Sequence, residues 1–197
     1  MSLSLVTAPA TEPVTLAAAK THLRVDSDYD DELISFLIVA AREYGEVFTR
    51  RAFITQCWDD QRHAFPCGGE PIWLEKPPLQ LGTDLAPTPP VVTYVDSEGV
   101  TQTWSATRYT IDAPVGPTAR RACLVPNYGQ VYPSTRDVVA AVTIRFWAGY
   151  GNAAAVPKLL TFCLKEHMRA AELRSDPEAS QQILRWVSAQ LWPFKSF

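Results

Sequence analysis

The residues of this chain that could hold a metal or activate a nucleophile are three histidines (His22, His63, His167) and four cysteines (Cys57, Cys67, Cys123, Cys163). A single element presents two ligands to one ion when they stand at CxxC or HxxxH spacing, and no pair here does. The sequence therefore predicts no metal site, no cofactor and no Cys/His nucleophile. General acid/base work needs two carboxylates held in different environments, and adjacent acids occur at Asp30–Asp31 and Asp59–Asp60. The first pair falls in the opening turn of a helix, where acids complement the dipole without doing chemistry. Gly68-Gly69 and Gly149-Tyr150-Gly151 lack the strand, glycine-rich loop and lysine-threonine grammar of a phosphate cradle, so they read as turns. Arg50-Arg51 and Arg120-Arg121 are too sparse to track a phosphate backbone and read as solvated surface.

With no reactive constellation, the informative features are the elements themselves. Residues 28–53 carry the clearest period: Leu33, Ile34, Leu37, Ile38, Ala41, Tyr44 and Phe48 recur at three- and four-residue spacing and form one apolar stripe on a helix. Asp28 and Asp31 supply an amide acceptor and negative charge at its start. Arg42, Arg50 and Arg51 fall toward its end. Phe36 and Val39 lie off the stripe, so the apolar surface is broader than one neighbour can bury and needs a second helix or a second subunit, with Phe36, Val39 and Tyr44 the residues expected at a subunit contact. Before this helix, residues 1–13 read as an extended lead-in with Pro9 and Pro13. Thr15 caps a short helix over 16–23 whose alanines permit close approach.

After Phe53 the pattern shifts to alternation and strands. Strand signals occupy 54–65, 71–74, 109–112, 121–125 and 138–147, and a hairpin joins 91–95 to 100–104 through Asp96-Ser97-Glu98-Gly99. The proline-rich span 77–90 reads as an irregular crossing, and 127–136 as a loop. Pro157 then opens a helix reaching about Leu173, and a last helix runs over about 178–191. The fold class predicted is α+β: a helical body formed by the N- and C-terminal helices (1–53 plus 152–197) with an inserted antiparallel β module (54–151).

The closing segment is unusually aromatic. Trp186, Leu191, Trp192, Pro193, Phe194 and Phe197 need an apolar surface, whereas termini are ordinarily polar. Two destinations stay open, the chain's own helical body or another protein, for which aromatic anchors commonly carry the binding energy.

Bulk properties narrow the class. With 47% hydrophobic and 20% charged residues the chain can bury a core. Its net charge of −3 gives no global pull toward nucleic acid or an anionic membrane. The longest apolar stretch, 33–41, is far short of the roughly 20 residues that span a bilayer. The opening lacks the pattern of a secretory signal, so reduced cysteines and synthesis in a cytoplasm are expected.

Three separated blocks carry a resemblance: VTLAAAKTHLRVDSDYDDELISFLIVAAREYGEVFTRRAFITQCWD from Val14, IWLEKPPLQ before VTYVDSEG, and VTIRFWAGYGNAAAVPKLL from Val142. In this order, over roughly 14–173, they resemble the head-tail connector, or adaptor, proteins of long-tailed bacteriophages and related gene transfer agents. The segment after Asp176 lies outside that resemblance. The resemblance implies a non-enzymatic virion protein at the head-tail junction, assembled in the host cytoplasm. It implies a ring, commonly of twelve identical subunits, on the portal protein, joined below to a stopper or tail protein, with DNA passing through without specific binding. It also implies a portal dock formed by the C-terminal segment, Trp186 to Phe197. Deleting 192–197 is accordingly expected to abolish portal binding and leave the subunit folded. The rival class is a small enzyme or ligand-binding protein with a site between helical body and β module. A weaker third reading is a DNA-binding adaptor.

Overall fold

The computed structural model describes residues 2–82, 89–173 and 175–196. Part of the predicted crossing 77–90, namely 83–88, and Phe197 lie outside the described residues. The chain is α+β, with four α-helices and antiparallel sheets.

The helices are α1 (Leu16–Leu23), α2 (Asp31–Thr49), α3 (Lys158–Glu172) and α4 (Pro177–Leu191). Thr15 caps α1, its Oγ1 accepting from the amide of Ala18 at 3.2 Å. Asp176 does the same for α4, accepting from the amide of Ala179 at 3.0 Å, with Pro177 in the first turn. The start of α2 departs from the sequence reading. Asp30 is the capping residue, and Asp28 instead holds Lys20 of α1 at 2.6 Å, closing the short link between the two helices. The helix also ends earlier than Phe53, at Thr49, because Arg50 turns to a left-handed conformation (φ 57°).

Ile34, Ile38 and Ala41 of α2, Leu160, Leu164 and Met168 of α3, and Val187 and Leu191 of α4 share one core, to which Phe53 and Ile54 also belong. Gly45 lets α2 come close. A Cβ there would stand 2.7 Å from the ring of Phe53 and 3.1 Å from Leu164 Cδ2. Leu33, assigned to the buried stripe by its spacing, is 41% exposed at the rim of this core.

The strands are β1 (Ser2–Thr7), β2 (Gln56–Arg62), β3 (Ile72–Leu74), β4 (Leu79–Gln80), β5 (Val91–Val95), β6 (Thr101–Trp104), β7 (Tyr109–Asp112), β8 (Ala122–Pro126) and β9 (Val142–Ala148). One sheet has the order β1-β2-β9-β5-β6, with β4 pairing the end of β9, and a second has the order β3-β8-β7. Val142, Ile144, Phe146 and Ala148 of β9 alternate inward, and they share a core with Ile72, Leu74 and Leu124 of the second sheet. The 91–104 hairpin forms as the sequence indicates, with Gly99 at φ 90° in its turn.

The lead-in is more than extended. Ser2–Thr7 pairs antiparallel with β2 along its outer edge, Ser2 opposite Gln61 and Leu5 opposite Trp58. The first residues of the chain thus join the sheet, although the boundary at residue 53 grouped them with the helices. The physical reason is the open edge of β2: unpaired backbone amides and carbonyls there need a partner strand.

A buried polar chain ties the helices to the sheet. Glu46 Oε1 accepts from the Phe53 amide and from Gln56 Nε2, both at 2.7 Å. Its Oε2 accepts from Arg42 Nη1 at 3.2 Å, and Arg42 Nε donates to Glu12 at 2.8 Å. Burial raises the Glu46 carboxyl above its ordinary pKa, against the opposing pull of the Phe53 amide and Arg42.

Candidate docking surfaces

Most of the residue types that could do chemistry are committed elsewhere in the fold, with His63 and the free thiol of Cys67 exposed. Among the described residues no group of histidine, cysteine and carboxylate side chains could hold a metal ion. His22 Nε2 lies 3.1 Å from Glu166, His167 stacks on Tyr44 with 4.4 Å between ring centres, and His63 is exposed. Cys57, Cys123 and Cys163 are buried free thiols, and burial pushes Cys163 up to about 11. The pleat of β2 sends Asp59 and Asp60 to opposite faces. Asp59 takes a bidentate pair from Arg145, its register partner on β9, with both distances 2.8 Å. Asp60 accepts from Arg62. Asp31 holds Lys20 at 2.7 Å.

Arg51 corrects the reading of Arg50-Arg51 as solvated surface. Its side chain is 2% exposed, and its Nε donates to the carbonyl of Phe194. The turn at Arg50 causes this, since a left-handed residue reverses the chain and points the next side chain inward. Arg120 lies on the surface as read, and Arg121 is half-buried, but each is ion-paired. They hold Asp112 and Glu75, each at 2.5 Å.

The junction where a ligand site was the rival expectation does contain a cleft, with a volume of about 730 Å³, between β4, the 113–117 loop and the 150–157 segment. Its described lining is apolar, and it carries no charged side chain. Its polar members are spent on the protein: Gln80 Nε2 donates to the Gly149 carbonyl and Tyr150 Oη to the Pro117 carbonyl, both at 2.5 Å. Among the described lining residues the one titratable group is the phenol of Tyr150, whose pKa burial raises further.

Part of the aromatic tail folds back on the helical body and part stays exposed. Leu191 and Phe194 are buried in the helical core, and the Ser196 amide donates to the Thr49 carbonyl at 2.9 Å. Trp186, Trp192 and Pro193 stay exposed, Trp192 at 57%. Trp186 packs edge-on against Phe162, and Lys195 Nζ lies 5.0 Å from the Trp192 ring. A deletion of 192–197 would thus remove core and orphan the Arg51 guanidinium, so it would not leave the fold intact as the sequence suggested.

Of the three residues expected at a subunit contact, Phe36 is 69% exposed and Val39 is half-buried beside Leu16 and Ile38. Tyr44 faces inward, stacked on His167 and Phe48, with its hydroxyl 3.1 Å from Ser188 Oγ of α4. The spacing did not separate it from Phe36, because two helices beside α2 cover more of its circumference than one stripe.

The comparisons with known proteins agree with this geometry. Residues 13–79 match the family model described as phage gp6-like head-tail connector protein. No curated protein sequence matches the chain. Solved structures similar to it come from gene transfer agent (GTA) particles. A chain in the virion of a native GTA particle is 22% identical with a TM-score of 0.73. One in the neck of an empty GTA particle, computed with C6 symmetry, is 22% identical with a TM-score of 0.75. A third, in the neck of a native particle computed with C12 symmetry, is 21% identical with a TM-score of 0.68. Each comparison covers 100% of this chain and 96% of the other. Over residues 13–79 the chain is similar to the phage gp6-like head-tail connector family, and over its whole length it has the fold of a chain found in GTA particles.

Proposed function

We propose that this protein is a structural adaptor at the head-tail junction of a phage or gene transfer particle. It forms a ring of identical subunits, docks on the portal, and passes the connection to a stopper or tail-completion protein while DNA runs through the centre. In this reading the helices from both ends (1–53 plus 152–197) make the ring wall and the β module (54–151) projects toward a neighbour, while Ser2–Thr7 stitches the two together. The observation that carries the reading is the coincidence of a connector-family match over 13–79 with a full-length likeness to chains of GTA necks.

The physical features support the same role. Exposed Trp186, Trp192 and Pro193, presented on a base fixed by Leu191 and Phe194, offer apolar anchors for a portal groove. A chain of net charge −3 would not grip passing DNA. The described lining of the junction cleft is mostly apolar and carries no charged side chain. The test is native mass measurement of the purified protein alone and mixed with its cognate portal. A stoichiometric complex of several copies per portal supports the reading, and an unbound chain at micromolar concentrations of both would remove it.

A further inference from the structure

Two outward helix stripes carry matching patterns of opposite sign. On α2, Glu32, Phe36 and Glu43 face solvent, and Val39 lies half-buried between them. On α3, Lys158, Phe162 and Arg169 face solvent, and Lys165 lies half-buried between them. The outer acids and the outer bases are each separated by three helical turns, so each set occupies one line on its helix. The stripes also point away from each other within a subunit. Gly45 of α2 meets Leu164 of α3, and Phe36 and Phe162 each lie on the opposite side of their helix from that contact.

The remaining charges near these lines are committed weakly or locally. Glu43 stands 3.8 Å from Arg42, Arg169 stands 3.5 Å from Glu166, and both Glu43 and Arg169 remain more than half exposed. Phe162 contacts His22 and Trp186 edge-on and is still 45% exposed. Among the described residues neither stripe therefore has a partner that covers it.

We propose that the acidic α2 stripe of one subunit docks on the basic α3 stripe of the next copy, making the head-to-tail contact of the ring. The proposal rests on the ring reading above and names its two mating faces. Direction follows from the fold. The two helices run antiparallel within the subunit, since Asp30 at the start of α2 lies close enough to act on the Glu172 carboxyl at the end of α3, while further along α2 Tyr44 stacks on His167 and Gly45 meets Leu164. The small rotation that relates neighbours in a closed ring preserves that antiparallel sense. Sliding the stripes antiparallel sets Glu32 against Arg169 and Glu43 against Lys158. The same register sets Val39 against Phe162 and lays the Lys165 stem along Phe36. Reversed charge at both ends with apolar contact between them fixes register as well as affinity.

Charge reversal tests the pairing. One variant carries Glu32→Lys and Glu43→Lys, a second carries Lys158→Glu and Arg169→Glu, and all four positions are exposed, so thermal melts should stay close to wild type. Each variant alone should self-associate about tenfold more weakly or worse, with and without portal, as expected for losing close interfacial charge pairs. Mixing the two should restore assemblies in which the variants alternate. A second measurement does not depend on free association: Val39→Cys with Phe162→Cys, in a Cys67→Ser background, should give an oxidised ladder of dimers, trimers and higher species. Either single cysteine should stop at dimers or fewer. Variants that assemble like wild type, or a double-cysteine protein that gives no ladder, overturn the pairing. If portal binding persists in that case, the connector reading stands and only these faces are wrong.

Discussion

Arg51 reaches across the molecule to the carbonyl of Phe194, so a residue just past α2 holds the segment just past α4. The guanidinium is buried, and among the described residues its Nη1 has no hydrogen-bond partner. Burial lowers its pKa, against a favourable contribution from Tyr150. The bond closes the helical core over Leu191 and Phe194 and leaves Trp192 outside. Arg51→Ala is expected to cost about 2–4 kcal/mol in urea denaturation, by losing a charged hydrogen bond and opening a cavity. Arg51→Met should cost less than Arg51→Ala, because it fills the space without burying a charge. Equal losses for the two would show that the bond, and not the packing, dominates.

Close approach at Gly45 makes a second prediction. In an exposed helix interior, alanine would improve on glycine by roughly 1 kcal/mol. Here its methyl would stand 2.7 Å from the fully buried Phe53 ring, which cannot swing away without disturbing the core. Gly45→Ala should therefore destabilise by about 1–3 kcal/mol as overpacking does. A stabilised variant in the same denaturation series would show that Phe53 has room to yield.

The sequence made several of these features legible and hid others for identifiable reasons. Thr15, the 91–104 hairpin and the turn at Gly99 depend on neighbours a few residues apart, and all three appear where their local signals put them. The central place of β9, flanked by β2 and β5, depends on partners 50 to 90 positions away that alternation cannot name. Ser2–Thr7 carries a strand signal, since Ser-Leu-Ser-Leu alternates, but Pro9 and Pro13 mark the stretch as an extended lead-in and no local residue names its partner β2. Arg51 was hidden because its burial follows from one left-handed residue, and Arg50 carries no side-chain signal for that conformation. The tail was ambiguous in sequence because its residues differ in fate: Leu191 and Phe194 fold back into the core, and Trp186 and Trp192 stay exposed.

Glu46 predicts a pH dependence with a definite sign. Its carboxyl is raised in the folded state relative to an ordinary value of 4.5, with burial as the largest cause. A raised acid favours folding when protonated. Its contribution to stability is full below the unfolded pKa and is lost as pH rises through the folded one. Glu46→Gln keeps an oxygen to accept from Phe53 and removes the buried charge, so its stability relative to wild type should be greatest near neutral pH and shrink steadily on acidification toward pH of about 4. Chemical denaturation of both proteins over that range reads the difference directly. A gap that widens on acidification would mean that the Arg42 pairing outweighs burial.

Trp192 separates docking from folding. Its ring is 57% exposed beside Lys195, whereas Phe194 two residues on is 7% exposed in the core. Trp192→Ala should hold the denaturation midpoint within about 0.5 kcal/mol of wild type, as surface substitutions usually do. The same change should weaken portal binding by about 2 kcal/mol or more, roughly thirtyfold, if this ring is a central anchor. Phe194→Ala should do the reverse in order, losing about 3–5 kcal/mol of stability from a core cavity and affecting the portal only through unfolding. Titration calorimetry with the cognate portal, run beside urea denaturation, distinguishes them. Full portal affinity in Trp192→Ala would move the dock to another face of the subunit.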